Sequence, residues 1–162
     1  MSFDVFLIAF RDGANATADA VAARAVLDRY QYKHCSEFDH YDINFVDDSQ
    51  VDMFTGGFDG GDKPFDGAMF KLRDFSEAIG EFIIEFSRAA GCVIFPTMKP
   101  ACVLLPRDDL AAHLPTDLGH EFQRIPVASG AEVLAALKGG FVAWKAYRER
   151  VVGRYSAPGE AT

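Results

Sequence analysis

Residues 74–106 read DFSEAIGEFIIEFSRAAGCVIFPTMKPACVLLP, and this stretch decides the fold of the chain. Its first half carries one apolar stripe at steps of three and four, which predicts an amphipathic helix: Phe75, Ile79, Phe82, Ile83, Phe86 and Ala90. Asp74 followed by Glu77 predicts the helix start, and Gly91 stands where a left-handed C-terminal cap favours glycine. Residues 92–95 and 101–105 are apolar runs around a proline-containing turn, which predicts two buried strands.

The N-terminal residues predict a strand followed by a helix. Residues 3–10 (FDVFLIAF) are apolar on both sides apart from Asp4, which predicts a central strand covered on both faces. Asn15 or Thr17 is predicted to cap a helix that runs to about Tyr30. Its expected inner stripe consists of small residues: Ala18, Val21, Ala22, Ala25 and Val26. We interpret residues 31–36 as a connection.

The middle of the chain predicts a hairpin, a loop and a further strand. Residues 39–46 alternate apolar and polar, which predicts a strand with one solvated face. Residues 47–50 have turn chemistry, and residues 51–55 are predicted to return as the hairpin partner. Five glycines and a proline make residues 56–67 a loop, and residues 68–72 favour another short strand.

The C-terminal third has weaker patterns. Residues 108–114 are predicted to form a helical turn, and residues 121–127 an edge strand, because Pro126 cannot donate to a ladder. Ser129 with Glu132 is a capping box that predicts a C-terminal helix, broken or kinked at Gly139-Gly140. We expect residues 155–162 to be a flexible tail.

The order of these elements predicts an α+β fold for a single domain over residues 1–154. Two helices separated by a meander of strands favour a mostly antiparallel sheet with the helices packed against it. We therefore expect a ferredoxin-like core with added strands, two packing helices and a C-terminal helix.

Net charge excludes several classes of partner. The chain has 162 residues, a net charge of −8 and a pI near 4.9, which argues against nucleic acid and against an anionic membrane surface. Between Glu37 and Asp66 there are nine acids and one base, Lys63, so this segment alone carries −8. The rest of the chain has fifteen acids and fifteen bases. All the net charge therefore comes from 30 residues, Glu37 to Asp66.

The cysteines and hydropathy indicate a cytoplasmic protein. Three cysteines, an odd number, do not form a disulfide framework, and Cys92 and Cys102 lie in apolar runs typical of the core. We expect no signal peptide, because Asp4 interrupts the first apolar run, and no membrane-spanning segment.

The acidic segment is the predicted binding surface, with a basic protein as the expected partner because opposed potentials favour encounter. Its candidate residues are Asp42, Asp47, Asp48, Asp52, Asp59, Asp62 and Asp66. Asp59, Asp62 and Asp66 lack the spacing of a calcium loop. No catalytic motif, metal set or cofactor fingerprint is present, so we expect no cofactor.

His40 offers an alternative, a metal-dependent or acid–base enzyme that uses His40 with Asp42 and Asp52. A turn centred on Asp48-Ser49 predicts that Asp52 faces Phe45, away from His40. That register argues against the alternative. His34-Cys35 with His40 supplies ligand types for zinc, but not the spacing of a zinc finger.

A resemblance supports the non-enzymatic interpretation. Residues 1–7 (MSFDVFL) and the helix that leads into residues 91–95 (GCVIF) resemble small bacterial proteins of unknown function, some of which are similar to immunity proteins of polymorphic-toxin systems. The resemblance implies a bacterial binding or inhibitor protein and carries no functional residue with it. A homo-oligomer is a further alternative.

Overall fold

The computed structural model describes residues 3–60, 62–98, 101–118, 122–139 and 149–150. The strands are β1 (Phe3–Ile8), β2 (Phe10–Arg11), β3 (Ala14–Asn15), β4 (Gln31–Cys35), β5 (His40–Asn44), β6 (Gln50–Thr55), β7 (Gly67–Leu72), β8 (Val93–Pro96), β9 (Cys102–Leu105) and β10 (Gln123–Pro126). The helices are α1 (Ala20–Leu27), α2 (Glu77–Ala90) and α3 (130–139), with 3-10 helices at Ser36–Phe38 and Asp108–His113. The predicted break at Gly140 and the predicted tail lie outside the described residues.

Eight strands form one sheet in the order β10-β9-β8-β1-β7-β6-β5-β4. All neighbours are antiparallel except β9 and β10, which are parallel. The ferredoxin-like core consists of six elements that follow each other along the chain in the order β1-α1-β6-β7-α2-β8. Its four strands lie in the sheet in the order β8-β1-β7-β6. Strands β5 and β4 extend one edge, and β9 and β10 extend the other. The predicted α+β fold, with its mostly antiparallel sheet and C-terminal helix, is confirmed.

Helix α2 provides the centre of the core, as its stripe predicted. Ile79, Phe82, Ile83 and Phe86 are fully buried against the sheet. Gly91 ends the helix with φ 76°, a left-handed cap that glycine adopts without strain. The predicted start at Asp74 was wrong: Ser76 is the N-cap, because its hydroxyl accepts the Ile79 N–H at 3.2 Å.

Helix α1 is shorter than predicted, and its buried stripe is different. Asp19 is the N-cap and accepts the Ala22 N–H at 3.0 Å, so the predicted caps Asn15 and Thr17 were wrong. Ala23 and Leu27 are the buried residues, whereas Val21 is 83% exposed. Of the predicted stripe, Ala18 is buried and Val26 packs partly against the core. Alanine-rich turns give little contrast between the two sides of a helix, and the rest of the stripe was therefore misassigned.

The C-terminal elements agree with their sequence signals. The Glu132 N–H donates to the Ser129 hydroxyl at 3.2 Å, which confirms Ser129 as the N-cap. The Glu132 carboxylate reaches back one residue further than in a standard capping box and accepts the Ala128 N–H at 2.6 Å. Cys92 and Cys102 are buried, as predicted, and burial raises the pKa of these thiols to about 12 and about 11. Cys35 is exposed.

The two faces of the sheet are covered differently. Helices α1 and α2 lie over one face. On the other face, residues 106–118 fold over β8 and β9 and form a small second core of five buried residues: Val93, Val103, Leu105, Leu110 and Leu114. The same face of β1, β7, β6, β5 and β4 keeps partly or fully exposed side chains, and we name it the open half-sheet. Because Phe6 on this face is 38% exposed, the prediction that residues 3–10 are covered on both faces was wrong.

Candidate binding surface on the open half-sheet

A row of charged residues crosses the open half-sheet, one residue from each strand. Hydrogen-bonded register places Asp4 beside Lys71, Lys71 beside Asp52, Asp52 beside Asp42, and Asp42 beside Lys33. We name these five residues the charged row. Their signs alternate except at the centre, where the aspartates of β5 and β6 are direct cross-strand neighbours. Like charges in such positions destabilise a sheet.

A second row, two residues away along each strand, is mostly apolar. It pairs Phe95 with Phe6, Phe6 with Met69, Met69 with Phe54, and Phe54 with His40. We name these five residues the apolar row. The rings of His40 and Phe54 stack with centroids 4.7 Å apart, and the Lys71 ammonium lies 5.9 Å from the centroid of Phe54. Apolar side chains therefore lie alongside the charged row. Protein interfaces likewise combine an apolar core with a polar rim.

The turn between β5 and β6 brings the two aspartates together. Phe45 donates to the Ser49 carbonyl at 3.0 Å, so the loop contains three residues, and its third, Asp48, has φ 67°. Three-residue hairpin loops characteristically end in a left-handed residue, which aspartate tolerates better than most. The resulting register pairs Asp42 with Asp52 and His40 with Phe54. The predicted register, with Asp52 opposite Phe45, was wrong because it centred the turn on Asp48-Ser49, whereas the turn is centred on Asp47.

The two central aspartates differ in their hydrogen bonds. The Asp52 carboxylate lies 3.1 Å from His40 Nε2 and accepts from Arg73 at 3.2 Å. Asp42 Oδ1 is enclosed and has no hydrogen-bond partner within the part of the chain that the structure describes, and Asp4 Oδ1, at one end of the charged row, has the same property. An enclosed polar atom without a partner destabilises the fold by about 1–3 kcal/mol. Of the two central aspartates, Asp42 is therefore the one with an unsatisfied carboxylate oxygen among the described residues.

The other predicted binding residues lie elsewhere. Asp47 and Asp48 occupy the β5–β6 turn, where hydrogen bonds from the Ser49 hydroxyl and amide lower the pKa of Asp47. Asp62 and Asp66 are exposed in the loop that follows β6. The structure thus divides the acidic segment among the turn, the loop and the open half-sheet, and only Asp42 and Asp52 of the predicted set are direct neighbours on the sheet.

Asp59 belongs to a separate cluster beside α1. Its carboxylate accepts from Arg24 and from the Tyr41 hydroxyl, and it lies 3.2 Å from His34 Nε2. The His34 ring stacks flat on Tyr41, with centroids 4.2 Å apart and an interplanar angle of 1°. Arg24 also lies over the ring of Phe58, 4.4 Å from its centroid. These contacts attach the glycine-rich loop to strand β4, which was predicted to be a connection and is instead an edge strand.

Sequence reasoning missed three residues of the charged row, Asp4, Lys33 and Lys71. Asp4 is the one polar residue in an apolar strand, and it was interpreted only as an interruption. Lys71 occupies the solvated position of residues 68–72, where a lysine is ordinary. A polar residue in the middle of a central strand was the available signal, because it requires that face to be incompletely covered.

Three of the cavities lined by described residues are centred away from the charged row. They measure about 260, 340 and 350 Å³, and none of them is lined by His40, Asp42 or Asp52. The smallest has the most polar character, with Arg11, Arg107 and His113 among its lining residues. The residues of the sequence-predicted alternative site therefore lie on an open sheet surface, not in one of these cavities.

Comparison with protein families, with curated proteins and with solved structures gave no match. Among the described residues, none of the helices has both the length and the apolar character that crossing a membrane requires.

Proposed function

We propose that this protein is a non-enzymatic binding protein of the inhibitor or immunity type, and that a basic protein partner docks on its open half-sheet. The observation that carries the proposal is the direct cross-strand pairing of Asp42 with Asp52, two like charges on one face of the sheet. A cationic side chain of the partner, docked beside the two carboxylates, would neutralise the like-charge pair.

The apolar row supplies the second part of the interface. Phe6, Phe54 and Met69 are partly exposed beside the charged row, and their burial would add a hydrophobic contribution of about 25 cal/mol per Å². Hydrophobic contact then stabilises the complex, while the aspartates select a basic partner. The net charge of −8 increases the rate of encounter with such a partner.

The geometry also supports a second candidate, acid–base chemistry at His40. The contact of 3.1 Å between His40 Nε2 and Asp52 Oδ1 is the hydrogen-bonded pair that a general base requires. Under this alternative, His40→Ala abolishes a turnover that Asp42→Asn only weakens. Under the binding proposal, His40→Ala affects partner affinity alone.

The proposal is tested by capturing partners from the native host with three forms of the chain: wild type, Asp42→Asn and Asp62→Asn. The two variants each remove one charge by the same substitution, one from the charged row and one from the exposed loop. We expect a basic partner that wild type and Asp62→Asn retain at low salt. We expect Asp42→Asn to bind it about tenfold or more weakly, because a hydrogen bond to a charged group contributes about 1.5–3 kcal/mol.

High salt should weaken this complex, since part of its stability is electrostatic. Equal affinity of the two variants for the captured partner would place the interface elsewhere. Capture of an acidic partner, or binding that salt does not change, would contradict the proposal.

A further inference from the structure

A histidine and two aspartates from different parts of the chain converge at the outer edge of the sheet. His34 comes from β4, Asp39 directly precedes β5, and Asp59 lies in the loop after β6. One ligand atom from each of them lies within 4.8 Å of the other two. Two atoms that bind the same tetrahedral zinc ion at 2.0–2.2 Å are about 3.4 Å apart. His34 Nε2 and Asp59 Oδ2 already lie 3.2 Å apart, and side-chain rotation that brings the Asp39 carboxylate closer would close the set around an ion.

We name His34, Asp39 and Asp59 the trio. Neighbours outside the trio position the ring of His34 and the backbone of Asp39. The flat stack on Tyr41 orients the His34 ring, and its Nε2 points to Asp59 Oδ2 at 3.2 Å. The Asp39 carbonyl accepts the Thr55 N–H at 3.0 Å, and its backbone has φ 48°.

Asp59 is held in the same way and keeps free acceptor positions. Arg24 and the Tyr41 hydroxyl donate to its two oxygens. A carboxylate offers about four acceptor positions, so these two donors leave room for an ion. Outer hydrogen bonds of this kind orient the ligands in metal sites generally.

We propose that His34, Asp39 and Asp59 bind one divalent transition-metal ion, with zinc preferred. One imidazole nitrogen and two carboxylate oxygens suit zinc or manganese better than calcium, whose ligands are oxygens. The side chains of His34 and Asp59 are 28% and 33% exposed, so an ion reaches them from solvent and water completes its coordination. The bound ion would join β4 to the glycine-rich loop. This inference is independent of the proposed partner surface.

The test is calorimetric titration of the chelator-treated full chain with zinc chloride, manganese chloride and calcium chloride, together with thermal unfolding in each salt. We expect one zinc ion per chain, a rise in melting temperature with zinc, a smaller rise with manganese and none with calcium. His34→Phe keeps a ring to stack on Tyr41 but removes the nitrogen ligand, and we expect it to weaken zinc binding at least tenfold. Asp39→Asn, which tolerates the same backbone conformation, should do the same.

His40→Phe is the matched control. His40 also stacks on an aromatic ring and also lies within 3.1 Å of an aspartate, yet it is not part of the trio. It should leave zinc affinity and stoichiometry unchanged. The proposal is overturned if the wild type does not bind zinc. It is also overturned if His34→Phe and His40→Phe lose zinc affinity equally, or if His34→Phe and Asp39→Asn both keep the wild-type affinity.

Discussion

Asp42 carries its negative charge opposite Asp52 on one side and opposite the exposed Lys33 on the other, where solvent screens the attraction. Asparagine has the same shape and removes the repulsion. We therefore expect Asp42→Asn to raise the free energy of unfolding by about 0.2–1 kcal/mol, the size of cross-strand pair effects. Chemical denaturation at neutral pH measures this. Asp62→Asn, in the exposed loop, should change stability by less than about 0.5 kcal/mol. A loss of stability in Asp42→Asn would show that the carboxylate stabilises the fold.

Two tyrosines are predicted to make stability sensitive to alkaline pH. Burial, and then a hydrogen bond to a carboxylate, raises the pKa of Tyr41 and that of Tyr30 to about 12, compared with 10.0 for the free side chain. The carboxylate partners are Asp59 and Glu85. The unfolded chain releases these phenolic protons near pH 10 and the native chain near pH 12. The stabilising contribution is complete below pH 10 and is lost between pH 10 and 12.

Tyrosinate absorbance and denaturant unfolding, followed together across that range, test this expectation. Tyr41→Phe should make the decline of stability shallower, because one of the two shifted groups is gone. Tyr32→Phe is the comparison, since Tyr32 donates to the exposed carboxylate of Asp28. If the native chain shows only tyrosines that ionise near pH 10, the burial argument fails.

At the scale of elements, α2 and α3 make a close contact through glycine. A Cβ atom built on Gly80 would lie 2.4 Å from the Gly130 carbonyl oxygen, and one built on Gly130 would lie 2.4 Å from the Glu81 nitrogen. The Gly130 N–H also donates to the Glu81 carboxylate at 2.9 Å. Since both neighbours are backbone atoms, a methyl group at either position forces the helices apart.

We expect Gly80→Ala to lower the free energy of unfolding by about 1–3 kcal/mol, the usual effect of overpacking, although alanine favours helix. Gly56→Ala is the control, because a Cβ at Gly56 meets nothing within 4 Å and its backbone is not left-handed. Equal stability of the two variants in thermal and urea unfolding would show that the helices can separate freely at this point.

Elements were predictable from sequence where one side of the chain differs clearly from the other. The α2 stripe of Ile79, Phe82 and Phe86 and the alternation of Tyr41 and Ile43 were of this kind, and both were correct. Strand β4 was missed because its residues, Gln31–Cys35, are polar on both sides and only partly buried at most. An edge strand is defined by backbone pairing with its neighbour, which leaves little trace in its side chains.

At the scale of the whole molecule, the ferredoxin-like core followed from element order, but the candidate site did not. Asp4 and Asp42 are 38 positions apart, and they share one row only because β7 and β6 lie between their strands in a fixed register. Register across non-adjacent strands depends on a three-residue turn and on the path of the chain. Composition reveals neither of these. The charge of the segment was therefore predictable, whereas its division among three places was not.

The fold of residues 106–118 over β8 and β9 gives the molecule two cores of unequal size. The small one has five buried residues, whereas the core under the helices has 31 of the described ones. Amides in segments with few buried contacts exchange through local opening at lower free energy than global unfolding. We expect the Leu110 and Leu114 amides to exchange with solvent deuterium by such partial opening, while those of α2 exchange only when the whole chain unfolds.

Native-state hydrogen exchange at increasing denaturant measures this separation. A single exchange free energy for both regions would mean that they open as one cooperative unit. If the segment opens first, it uncovers Val93, Val103 and Leu105 beside an intact open half-sheet. The accessible apolar area would then extend beyond Phe95 across β8 and β9, so the molecule would have a transiently populated state with a larger part of one sheet face available to other chains.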